Sequence, residues 1–75
     1  MPEIKRFGGF RILMFFQDDN APHVHVTGAG FAAKIRISTG TILAGDAPAR
    51  VLRQARQWVE DHQAEMMALW NEFQR

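Results

Sequence analysis

Hydrophobic and polar positions alternate along the first part of the chain and then change rhythm. From Phe10 to Phe16, the residues Phe10, Ile12, Met14 and Phe16 share one face, and Arg11, Leu13 and Phe15 share the other. Both sides are largely apolar, so the segment predicts a covered strand. Gln17 to Pro22 is a cluster of turn formers, which bond their own backbone or fix φ. His23 to Val26 alternates imidazole with valine, and Gly28-Ala29-Gly30 reverses the chain. Phe31 to Ile37 then sets Phe31, Ala33, Ile35 and Ile37 inward and Ala32, Lys34 and Arg36 outward. Ser38-Thr39-Gly40 turns this strand, Thr41 to Ala44 predicts a last short one, and Met1 to Phe7 predicts an edge strand. Four to five strands joined by short connections describe an antiparallel meander over residues 1–45.

From Pro48 the period becomes 3.6. Asp46 or Ala47 stands where an N-cap belongs, Pro48 suits the first turn because its missing N–H has no helical partner to lose, and no further Gly or Pro follows. One apolar stripe about 120° wide runs through Val51, Leu52, Ala55, Trp58, Val59, Met66, Leu69, Trp70 and Phe73. The chain therefore reads as a single α+β domain, residues 1–75, with one long amphipathic helix over 48–74. That helix would span roughly 40 Å, whereas strands of about 4 to 7 residues reach only roughly 13 to 24 Å. Either it breaks near His62, where His62-Gln63-Ala64-Glu65 offers a weak cap, or its second half projects beyond the sheet. The unbroken stripe favours projection or a gentle bend near His62. Met66, Leu69, Trp70 and Phe73 then form an exposed ridge that a protein partner or a second copy in a homodimer would cover.

Composition sharpens this picture. A chain of 75 residues has a core worth only roughly 3 to 5 kcal/mol of net stability, which again points to a partner. The lack of cysteine excludes a disulfide framework, a thiolate zinc site and a cysteine nucleophile, and it fits a reducing compartment, with the cytoplasm as the expectation. No apolar run approaches the roughly 20 residues of a membrane span, and the N-terminus has no signal-like apolar segment, so a soluble chain without membrane contact is expected. The net charge of +1 is unevenly spread. Residues 1–56 hold eight bases against four acids, a balance of +4, while residues 57–75 hold Arg75 against Glu60, Asp61, Glu65 and Glu72, a balance of −3. The first part suits an anion and the tail repels one.

His23-Val24-His25 is the sharpest chemical feature. Two positions apart on a strand, the imidazoles share a face about 7 Å apart and could divide general-base and general-acid work, with Asp18, Asp19 or Asn20 beside them. The plainer reading, and the leading one, is that they bond backbone or turn carboxylates and fix the loop. Zinc asks for at least three protein ligands and only His62 remains as an imidazole, so no metal and no cofactor is assigned. His62 itself lies in the apolar stripe and reads as a core or interface residue, unless the histidine face of the sheet packs on the helix. Lys34, Arg36, Arg50 and Arg53 are candidates for phosphate contact, aided by the helix N-terminus. Against that stand Glu60, four residues beyond Arg56 and placed to pair with it, and the absence of any helix-turn-helix, RNP or P-loop pattern. Gly28-Ala29-Gly30 is too short for a dinucleotide loop, and Ser38 and Thr39 are turn residues without a nucleophile's setting.

Taken together, several segments carry a family resemblance. Met1-Pro2-Glu3-Ile4 with Arg6-Phe7, the Ile12 to Phe16 strand, and Asp18 through Pro22-His23-Val24-His25-Val26 belong to it. So do the Ala33 to Ile37 strand closed by Thr39-Gly40, Gly45 with Pro48 and Arg50, and the helical Trp58, His62, Glu65 and Trp70. Over nearly its whole length the chain resembles the small prokaryotic family known as domain of unknown function 4160. The resemblance implies a small α+β protein, commonly encoded beside a member of domain-of-unknown-function family 2442. Such pairs are predicted to be toxin–antitoxin modules, with the present type as the toxin. Ala21 replaces the first proline of the family's double-proline turn, and Ala47 stands where leucine is common before Pro48. The resemblance assigns no catalytic role. The leading expectation is thus an interaction protein of a two-gene module, bound to an antitoxin-like protein or to itself. The rival is a small histidine-based nuclease or metal-assisted hydrolase using His23, His25 and Asp18, and the third reading is nucleic-acid binding without chemistry.

Overall fold

A computed structural model describes residues 3–15 and 21–74. Five strands come first: β1 (Glu3–Phe7), β2 (Phe10–Leu13), β3 (His23–Gly28), β4 (Phe31–Arg36) and β5 (Ile42–Asp46). They form one antiparallel sheet in the order β1-β2-β3-β4-β5, each strand paired with its sequence neighbours. The meander expected from the period-two pattern is present, including the edge strand at the N-terminus. Hairpin register places Phe10 opposite Gly28, Ile12 opposite Val26, and Val24 opposite Ile35. Between Lys34 and Ile35 the pairing with β5 shifts, leaving Leu43 as an extra residue. Gly45 follows with φ +74, and a Cβ there would run into the Ala32 carbonyl, so glycine is required for β5 to close on β4.

The strands bury one face. Ile12, Met14, Val24, Val26, Ala33, Ile35 and Ile37 have lost essentially all contact with solvent, and they pack with Phe10 against Val51, Leu52, Ala55 and Val59 of helix α1 (Ala49–Asp61). Pro48, rather than Asp46 or Ala47, occupies the position before the first helical residue, and its carbonyl accepts from Leu52 N at 3.0 Å. Asp46 instead accepts from its neighbour Ala47 N at 2.8 Å.

The single long helix is corrected to two. Helix α1 stops at Asp61 and helix α2 (Gln63–Phe73) follows, with His62 between them at φ −121 and ψ 28. The residues expected to act as a cap make no side-chain capping bond. The His62 ring instead lies flat on Trp58, with centroids 4.2 Å apart, and its Nδ1 donates to the Trp58 carbonyl at 2.8 Å. That carbonyl also takes the His62 backbone N–H at 3.1 Å, so the last turn of α1 is closed by a side chain and the chain is free to change direction.

What holds α2 in its new direction is the end of the sheet. Gln63 Nε2 donates to the Ile37 carbonyl at 2.8 Å, beyond β4, and Gln74 Nε2 lies 3.5 Å from the Phe15 carbonyl, beyond β2. Between these anchors Trp70 meets His23 at the start of β3, with ring centroids 5.0 Å apart. In the strand order these three ends lie side by side, so α2 crosses the end of the sheet. The expected ridge is therefore not a projecting one. Met66 and Trp70 are buried in the core, and Leu69 and Phe73 are half-buried against it. Among the described residues no helix is long and apolar enough to cross a membrane.

Candidate functional site

Alternation along the strands sends the remaining side chains to the opposite, outer face, which α1 does not cover. Register assembles them into rows. Arg11 stands opposite Thr27, His25 opposite Lys34, and His23 opposite Arg36. The Arg50 and Arg53 side chains lie elsewhere, on α1 above the inner face, where they border a shallow groove with Phe7, Trp58 and Asp61. The four bases proposed for phosphate contact thus divide into two pairs on opposite sides of the molecule. In exchange, Lys34 and Arg36 gain Arg11 as a neighbour, and Arg6 extends the face on β1 opposite Arg11. Arg56 is committed elsewhere, its Nε donating to the Gly40 carbonyl at 2.7 Å.

The two strand histidines differ. His23 is fully buried, and its Nδ1 donates to the Ala21 carbonyl 2.7 Å away, which fixes the proton on that nitrogen. Its ring is enclosed between Trp70 and His25, each centroid 5.0 Å away. Such a ring ties α2 to the turn before β3. His25 is half-buried, and Phe15 meets it edge-on at 4.4 Å. Trp70, His23, His25 and Phe15 thus form one row of rings leading from the end of the sheet onto its outer face. Asp18 lies outside the described residues. His62 belongs to neither histidine, because it serves the α1–α2 junction on the inner side. No three His, Asp or Glu side chains converge among the described residues.

Charge on the outer face is unequal. Glu3 takes Arg6 at 2.9 Å and Arg11 at 3.4 Å. The hydrogen bond from Arg6, reinforced by the positive charges of Arg6 and Arg11, holds the Glu3 carboxyl below the usual glutamate range, and the same pairing raises Arg6. These are the ion pairs among the described residues; Lys34 and Arg36 take part in none. Thr27 Oγ1 and Arg36 Nε are, moreover, buried atoms that meet no hydrogen-bond partner among the described residues. The two atoms lie toward opposite ends of the β3–β4 pairing, Thr27 facing Ala32 and Arg36 facing His23.

Sequence alternation could place Arg11 on the outer side of β2, but only register put it beside Thr27 and two strands from Lys34. Leu43 on β5 was likewise not visible as a surface feature, because its exposure follows from the bulge.

The family model described as Domain of unknown function (DUF4160) matches residues 9–71, nearly the whole chain, and the protein belongs to that family. No curated protein and no solved structure matches it.

Proposed function

We propose that this DUF4160 protein is the toxin-side component of a two-gene toxin–antitoxin-type module and acts by binding its neighbour-encoded partner through the β5 edge. The observation that carries the reading is the contrast between the two sheet edges. The β1 edge presents Glu3, Lys5 and Arg6, charges of the kind that discourage strand pairing. The β5 edge presents Ile42-Leu43-Ala44-Gly45 with a charge only at its end, Asp46, and Leu43, 36% exposed, is the large apolar side chain standing clear of the core. An edge with an apolar side chain and a charge only at its end suits an added partner strand, whose main chain supplies hydrogen bonds while one side chain supplies specificity. Met66 and Trp70 are occupied inside the molecule, so the contact moves from the C-terminal helix to β5, with Leu69 and Phe73 as a secondary contact. The histidine-based hydrolase is not favoured, since His23 is enclosed.

Calorimetric titration of the purified chain with the adjacent gene's product, paired with a growth assay, tests this. Expression alone is expected to slow growth, and co-expression to restore it. Leu43→Lys should weaken binding at least tenfold without changing the melting temperature, and Leu43→Val should retain it. Binding of Leu43→Lys as tight as the parent, or no binding by the parent, rejects the proposal.

A further inference from the structure

We infer that the outer sheet face around Lys34, Arg36, Arg11 and Thr27 is a binding site for single-stranded nucleic acid. Two independent observations meet there. The first is charge. Lys34 and Arg36 stand about 7 Å apart along β4 and have no acidic partner among the described residues, and Arg11 adds a third base two strands away. Glu3 engages Arg6 and part of Arg11 at one margin, and Asp46, opposite Ala32, stands at the other, so the unneutralised centre is the Lys34–Arg36 side of the face.

The second observation is the aromatic pair of Phe15 and His25 on the same side. A phosphate oxygen would meet the terminal guanidinium nitrogens of Arg36, because Nε itself has no exposed surface. The bases spread over β2 and β4, with β3 between them, instead of closing into a cup, which fits a chain of phosphates better than a single anion. Beside them, Phe15 and His25 bring aromatic rings to the same side, the combination by which sheet surfaces hold unstacked bases. A duplex would present its bases inward and leave those rings unused. The inference is independent of the β5 edge, since it concerns the sheet's face.

Fluorescence anisotropy of a labelled 12-nucleotide oligo(U) and its oligo(dT) counterpart with the full chain tests the site. Salt-dependent binding is expected, weakened at least tenfold in the Lys34→Ala, Arg36→Gln double variant. The slope of log affinity against log salt should fall by roughly 1.4, about 0.7 for each lost contact. Arg50→Ala with Arg53→Ala, on the other side of the molecule, should stay within twofold of the parent. Because the Arg36 stem packs on the sheet, melting curves accompany each variant, and Lys34→Glu serves as a second probe that leaves Arg36 in place. Undetectable or salt-independent binding by the parent, parent-like binding by folded Lys34→Glu, or equal loss in the helix variant overturns the inference. Tighter binding to a duplex of the same length, or full displacement by inorganic phosphate at equal phosphate concentration, overturns it as well.

Discussion

The two faces of the same five strands are built to different rules. On the inner face Ile12, Val24, Val26, Ala33 and Ile35 are packed to near-zero exposure against Val51, Ala55 and Val59. On the outer face the intervening residues include Arg11, His25, Thr27, Lys34 and Arg36, all half-buried, with Lys34 and Arg36 in no ion pair among the described residues. One residue of shift in register would exchange the two sets, so the aliphatic side also fixes where the basic side lies. If the outer face binds as proposed, stability and recognition are separated by the thickness of one sheet, and a substitution on either side should report on that side alone. The exception is the end of the sheet, where Trp70 and His23 join helix α2 to the outer row of rings.

That joint offers the largest test. Trp70→Ala should cost about 3 to 5 kcal/mol in chemical denaturation, because it empties the space over His23 and releases α2. A cost below about 1 kcal/mol would mean that the second helix is not held against the sheet. Next, Ile35→Ala should cost about 2 to 5 kcal/mol, whereas Lys34→Ala, one residue away on the other face, should stay within about 0.5 kcal/mol. Equal costs would dissolve the division between faces.

The smallest expected effect lies at the charged margin. Glu3 has a carboxyl pKa held below its ordinary value, so its pairing contributes stability above the unfolded-state glutamate value, about 4.3. That contribution is lost as pH falls from there through the lower folded value. Melting temperatures should therefore show a small, salt-sensitive decline over that window which Glu3→Gln abolishes; an unchanged pH profile in the variant would show that the pair adds nothing in solution.

Much of this architecture was legible in residue order. Alternation in Phe31 to Ile37 identifies β4 and its apolar side, and Gly28-Ala29-Gly30 marks its hairpin. Pro48 marks the start of the first helix to within a residue. The helix break was visible only as an alternative, and the stripe argued against it. A helical wheel records rotation about an axis and not the axis direction, so Met66 and Trp70 stay in phase with Val59 while the chain turns at His62. The turn depends on partners distant in sequence, Gln63 with Ile37 and Trp70 with His23.

The candidate site divides in the same way. His23 and His25 could be seen to share a face, but not that one would be enclosed by Trp70 while the other stays beside Phe15. Lys34 and Arg36 could be seen as outward, but not that Arg50 and Arg53 would stand across the molecule from them. By itself the sequence determined the elements, because backbone sterics and the burial of apolar side chains act locally and leave their period in the chain. Only the tertiary structure decided which elements meet, since strand register and the direction of α2 are set by packing among residues far apart in sequence. Those choices turned a nearly neutral composition into one aliphatic face, one basic face and one edge with an exposed leucine.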